Sequence, residues 1–201
     1  YRTYFGGSAL ACYYLLKELP DDVDPLSPEN LLIFASSPLV GSGIPGTNRF
    51  TVAAISPLTG VYCEAEAGGW WSTELKRAGF DAVLLEGRAP KPVYLWINDG
   101  AIQIRDAADL WGKSTGDTQQ LIEAELGESK VRVAAIGQGG ESMVRYACVV
   151  NGLKHTNGRG GMGAVMGSKN LKAIAVRGRQ PIALKNKAAI KKMVRWYADN
   201  F

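Results

Sequence analysis

The chain has 201 residues, of which 46% are hydrophobic and 21% charged, and its formal net charge is +4. That is enough for one substantial globular domain, it is too hydrophobic for a disordered chain, and no apolar run reaches the ~18 residues of a membrane span. The charge is unevenly placed: residues 1–141 hold 11 basic and 18 acidic residues, net −7, whereas residues 142–201 hold 12 basic residues and a single acid, Asp199, net +11. Such polarity calls for an anionic partner for the second half, whether a phosphate ligand, a nucleic acid or an acidic face of the same molecule.

In chain order, residues 8–18 read as a core-facing amphipathic helix rather than an export signal, and PDDVDPLSPEN, with its three prolines, as a loop. LLIFAS (31–36) is a buried strand. The Gly/Pro loop PLVGSGIPGTN delivers RFTVAAIS (49–56), which the turn PLTG joins to VYCEAEA (61–67) as a hairpin. Gly68 and Gly69 open the helix WWSTELKRAG, with its C-cap expected at Gly79. FDAVLLEG and PVYLWIND are strands, a turn at Asp99 and Gly100 leads into AIQIRD, and Ser114 caps the helix STGDTQQLIEAELG. VRVAAIG (131–137) and LKAIAVRG (171–178) are further strands, and KNKAAIKKMVRWYADNF is a basic helix. Mixing without strict alternation favours an α+β fold.

An internal repeat relates AGGWWSTELKRAGFDAVLLEGRAP (67–90) to RGGMGAVMGSKNLKAIAVRGRQP (159–181). Each copy has a Gly-Gly pair, a helix-length segment, a strand and Gly-Arg-x-Pro, and the second Gly precedes that Gly-Arg by 18 and 17 residues. The repeat predicts two related halves about a pseudo-twofold axis, with the Gly-Gly turns at equivalent points. The stretch HTNGRGGMGAVMGSKN (155–170) has five glycines and no acid. Glycines that dense suggest backbone that approaches an anion rather than packing, with Arg159, Lys169, Lys154 and Lys172 supplying charge. The alternative is a plain surface turn running into a short helix.

Several common chemistries drop out. Gly158, Gly160 and Gly163 fit GxGxxG, but the segment that should carry the ribose-binding acid is basic VRGRQP, and GAVMGSK has the wrong spacing for a P-loop. Cys12, Cys63 and Cys148 are dispersed, which predicts reduced, buried thiols in a cytoplasmic protein, and one histidine supports neither ordinary zinc sites nor a nucleophilic triad. A lone histidine is usually structural, but His155 between Lys154 and Arg159 suits an anion contact; Arg49 is a second candidate anion ligand, the alternative being a strand-edge surface charge. Glu64 and Glu66 alternate onto one face before Gly68 and are candidates to hold Mg²⁺ between phosphates, the alternative being that they simply face water. Of Trp70 and Trp71, one reads as core and the other as the wall of a site for a flat ligand. The chain reads as one that holds a cofactor.

The runs VDPLSPENLLIFA, ISPLTG, AGGWWSTELKRAGFDAVLLEG and NGRGGMGAVMGSKNLKAIAV, in this order, resemble the N-terminal domain of the aldehyde:ferredoxin oxidoreductase family. The resemblance covers essentially the whole chain. It implies an α+β base of two related β-sheet halves, carrying tungsten, or less often molybdenum, on two pyranopterins. By motif, the pterin contacts would be Arg49, Glu66, Gly68, His155, Thr156, Gly158 and Arg159, with Glu66 and Thr156 reaching a Mg²⁺ that bridges the phosphates. The family commonly has asparagine at Glu66 and arginine at His155. It also implies a cofactor-base domain over 1–182 that lacks its first strand, a helical linker over 183–201, and absent C-terminal helical domains bearing the catalytic acids and the cysteines of a [4Fe–4S] cluster. The whole subunit would have about 600 residues in several domains.

The activity implied is oxidation of an aldehyde to a carboxylic acid with ferredoxin as acceptor, in a cytoplasmic enzyme, with dimers among the family's assembly states and neither nucleic acid nor membrane as a partner. The fragment alone is expected to be inactive. CEAEAGGWWS keeps open a related tungsten enzyme, such as a reductase of aromatic acyl thioesters. An anion- or nucleic-acid-binding module without catalysis is the alternative from another class.

Overall fold

In the computed structural model the described residues run from 3 to 201, so Tyr1 and Arg2 of the expected domain lie outside them. The first half runs α1 (Gly7–Glu18), β1 (Leu32–Ser36), β2 (Phe50–Ile55), β3 (Tyr62–Ala67), α2 (Trp71–Arg77) and β4 (Ala82–Leu85). Its four strands form an antiparallel sheet in the order β3-β2-β1-β4. A hairpin, β5 (Val93–Asn98) and β6 (Ala101–Asp106), comes next, followed by α3 (Thr115–Leu126), β7 (Arg132–Ala135), α4 (Gln138–Glu141), β8 (Val149–Asn151), β9 (His155–Asn157), α5 (Met162–Ser168), β10 (Leu171–Arg177) and α6 (Lys187–Asn200). The second sheet has the order β6-β5-β10-β7-β8-β9, antiparallel except where β5 meets β10.

This topology confirms the repeat. In each half a helix leads into a three-strand meander, and a second helix returns a strand to the first strand of that meander. The orders β3-β2-β1-β4 and β9-β8-β7-β10 are therefore the same path drawn twice. Among the described residues neither α4 nor the β5–β6 hairpin has a counterpart in the first half.

The layering explains the hydrophobic patterns. Ala11 and Leu15 of α1 cover the outer face of the first sheet at Ile33, Ala35 and Ala53. Ile122 of α3 does the same for the second sheet at Tyr94, Val133 and Ala175. Between the sheets, Trp71 and Leu75 of α2 and Met162, Val165 and Met166 of α5 pack on Phe34, Phe50, Ile97, Ile174 and Val176. Because β1 is covered on both sides, all five of its residues are buried, and a continuous apolar run replaces alternation. Each such aliphatic side chain contributes about 1.5–3 kcal/mol on burial.

Local chemistry ends α3 as expected, whereas the C-cap of α2 falls one residue earlier than the expected Gly79. The Ser114 hydroxyl accepts from the Asp117 amide at 3.1 Å, and Gly127 closes α3 in the left-handed region at φ +60°. In α2 the cap residue is Ala78, and Gly79, at φ +96°, is the first residue beyond it.

The structure corrects the packing argument for the glycines of 155–170. Helix α5 is buried along its whole length rather than lying on the surface. A Cβ at Gly163 would fall 2.5 Å from the Cys148 carbonyl oxygen, and one at Gly167 would collide with the Gly140 carbonyl. These glycines are there for close packing of α5 on α4 and residues 147–148. The three cysteines are free, as expected, but half-buried rather than buried.

Candidate functional site

The Gly-Gly turn after β3 and the segment around β9 come together. Arg49, at the entry to β2, makes an ion pair from Nε to Glu66 Oε2 on β3 at 3.1 Å, and both side chains are about half exposed. Register pairs Phe50 with Ala67, which brings Arg49 alongside Gly68 at the end of the β2–β3 ladder. Gly69, at φ +98°, lies under the ring of His155 from the other half: a Cβ there would sit 2.9 Å from His155 Cδ2 and 2.6 Å from Asn151 Oδ1. A shallow groove of about 360 Å³ opens beside this contact, lined by Gly43, Gly46, Arg49, Gly68 and Trp70. Trp70 is 58% exposed at its rim, whereas Trp71 is buried and donates from Nε1 to the Ile174 carbonyl at 2.9 Å.

His155, Thr156, Gly158 and Arg159 are all exposed, while Asn157 between them is buried. Thus Arg49, Glu66, Gly68 and His155 are joined by direct contacts or register, and Thr156, Gly158 and Arg159 follow along the same exposed edge of β9. Glu64 does not share in this: its carboxylate accepts from Ser8 Oγ at 2.9 Å and from the Tyr62 hydroxyl, whose pKa burial pushes up. Two of the lysines expected to supply charge also lie elsewhere. Lys169 Nζ donates to the carbonyls of Pro28 and Gly87 at 3.0 and 3.1 Å, and buried Lys172 is held by Glu141 and the Lys113 carbonyl. Among the described residues no group of three His, Cys, Asp or Glu side chains forms a metal site, and no helix is long and apolar enough to cross a membrane.

The glycines divide in a way that bears on a ligand. Gly69, Gly160 and Gly161 have positive φ, and a side chain at each would strike neighbouring atoms, so the fold requires them. Gly68 and Gly158 lack positive φ and would meet only ordinary contacts, at 3.7 Å from His155 Nδ1 and 3.5 Å from Thr156 Oγ1. Folding does not demand glycine at these two positions, one in each half. A cradle that a Cβ would fill, flanked by Arg49, His155 and Arg159, fits a ligand with two anionic groups.

Residues 1–178 match the family described as aldehyde ferredoxin oxidoreductase, N-terminal domain. The chain belongs to this family. It is 48% identical over 194 residues to the tungsten-containing aldehyde ferredoxin oxidoreductase of Pyrococcus furiosus, covering 96% of this chain and 32% of that protein. It is 36% identical to the WOR-like subunit of an aliphatic sulfonate oxidoreductase from the same organism, covering 90% of this chain and 31% of that subunit. Among solved structures it is similar to the active-site complex BamBC of benzoyl coenzyme A reductase in complex with 1,5-dienoyl-CoA. There the TM-score is 0.95 at 41% identity, over 98% of this chain and 30% of that one. The chain therefore spans about a third of the length of the family members it matches.

Sequence reasoning missed the contribution of Asn151, of the 43–46 loop and of Asn48, which lines the groove with its carbonyl oxygen 3.8 Å from where a Cβ at Gly68 would stand. The Gly/Pro richness of GSGIPGTN marked that loop, whereas nothing in the sequence pairs Asn151 with Gly69.

Proposed function

We propose that this domain is the cofactor base of a tungsten, or molybdenum, bis-pyranopterin oxidoreductase that oxidises aldehydes to carboxylic acids and passes two electrons to ferredoxin. The observation that carries it is the pair Gly68 and Gly158, glycines the fold does not require, at corresponding loops of the two halves beside Arg49, His155 and Arg159. When bound, the metal–pterin group supplies the two-electron redox chemistry. The chain's part is to bind and orient. Arg49 and Arg159 would neutralise charge on the pterin phosphates, and His155 would donate a hydrogen bond to them. Gly68 and Gly158 admit them close to backbone. Glu66 and Thr156 supply oxygens of the hard type Mg²⁺ takes, once Glu66 shares or releases Arg49. Trp70 walls the groove with a flat apolar surface.

Catalytic acids and the cysteines of a [4Fe–4S] cluster would come from the remaining two-thirds of the subunit. The segment from 183, carrying α6 without a buried residue, leads toward those domains. A cytoplasmic setting suits three free cysteines.

A second reading, a subunit that reduces an aromatic acyl thioester, is supported by the benzoyl coenzyme A reductase likeness. The test is elemental analysis and assay of the full-length protein, purified without oxygen. The expected result is tungsten or molybdenum with phosphorus in a ratio of about one to two, together with aldehyde-dependent reduction of a viologen dye. Metal and phosphorus with activity only on the acyl thioester would select the second reading. Absence of both metals would overturn the cofactor reading.

A further inference from the structure

Buried contacts join the two halves directly beneath the anion loops. On one side, Ser56 Oγ donates to the Gly160 carbonyl at 2.7 Å. On the other stands Asn157, fully buried on β9, whose Nδ2 donates to the Ala65 carbonyl at 2.8 Å and, at a long 3.5 Å, to the Phe50 carbonyl. Ala65 precedes Glu66, Phe50 follows Arg49, and Asn157 itself lies between Thr156 and Gly158. One amide therefore spans the backbone adjoining four of the site residues, two in each half.

The amide cannot be turned over, since its oxygen would then face two carbonyl acceptors. In the orientation it holds, Asn157 Oδ1 is buried with no hydrogen-bond partner. An unmatched buried acceptor costs stability, and an aliphatic side chain of the same size would avoid that cost. A polar residue kept in such a place is explained by what its donor does.

We propose that Asn157 is a positioning residue that fixes the separation of the two anion loops, by holding the β8–β9 hairpin of the second half against β2 and β3 of the first. The identity of the ligand in this inference rests on the cofactor reading above; the clamp does not. With the clamp in place, Gly68 and Gly158 stand at a set spacing and address one ligand.

The test uses the full-length protein with Asn157→Ala and Asn157→Leu. The leucine fills the same space without the unmatched oxygen, so it decides the matter where alanine fails to fold. Ile122→Val, in the outer core beneath α3, serves as a destabilised control far from the loops. Hydrogen exchange is read on metal-free protein over residues 65–70 and 155–161, and tungsten release is read on loaded protein. Both Asn157 variants are expected to exchange about tenfold faster in both segments and to release tungsten about tenfold faster, while Ile122→Val changes neither. Loosening confined to 155–161, or equal loosening in the control, would overturn the proposal. A wild-type protein without tungsten or molybdenum would remove the cofactor reading, and exchange in the metal-free protein would still decide the clamp.

Discussion

Two glycines with similar backbone angles make opposite demands on their surroundings. Gly43 has φ +86° with nothing within 4 Å of a Cβ, while Gly69 has φ +98° with Asn151 and His155 in the way. Gly43→Ala should cost only the left-handed backbone penalty, about 1–2 kcal/mol. Gly69→Ala should add an overpacking term of about 1–3 kcal/mol. Gly68→Ala, free of both, should keep wild-type stability yet lose bound metal. Urea titration of the three variants, with metal content measured on the third, checks the series; a Gly68→Ala protein that retains full metal would remove glycine's ligand role there. The sequence marked Gly68, Arg49 and His155, which the structure places side by side, as candidates, because dense glycine and charge are local signals. It misjudged Lys169, Lys172 and Gly167, since whether a lysine or a glycine faces a ligand or the core depends on partners up to 141 residues away.

At the scale of elements, long strands with apolar runs were legible, as in LLIFAS and LKAIAV. The three-residue strands β8 and β9 were not: at that length neither a period of two nor a composition bias can emerge, and pairing alone creates them. Helix α4, QGGE, is likewise a product of packing against α5, against the propensity of its glycines. Lys169, just after α5, ties the 25–30 loop to the end of β4 through two carbonyls, and burial pushes its pKa down from 10.5 to about 8. Its folded pKa lies below the unfolded one, so between about pH 8 and pH 10.5 the unfolded chain binds more protons and the folded state gains stability as pH rises. Below that window the full cost of burying the ammonium remains. The melting temperature of wild type relative to Lys169→Met should therefore rise between about pH 7 and about pH 10; a difference that stays flat or falls would contradict a buried, depressed lysine.

At the scale of the whole molecule, the opposed charges of the two ends of the chain find an internal use. The acidic face that +11 called for lies partly within the same domain: Arg177 pairs with Glu74 at 2.6 Å, Arg179 with Asp99 at 2.8 Å and with Glu128 at 2.9 Å. The first of these pairs lies between the sheets. Glu74, 5% exposed on α2 of the first half, accepts from Arg177 and from the Gly178 amide at 3.1 Å, both at the end of β10, and also from Arg77 at 3.2 Å. Gly178 has no room for a side chain because the end of α2 lies against it. The pair thus fixes how the returning strand of one half meets the returning helix of the other. Glu74→Ala leaves the buried Gly178 amide without its acceptor, while Arg177 keeps Glu128 at 3.5 Å and the Gly178 carbonyl at 2.9 Å, and the expected loss is about 1–3 kcal/mol. Arg195→Ala, which breaks the exposed Arg195–Asp199 pair on α6, should change stability by no more than about 0.5 kcal/mol. Denaturant midpoints of the two variants decide it. Equal shifts would mean that this ion pair does not help to hold the halves together, and that the charge asymmetry is directed outward, to an anionic ligand.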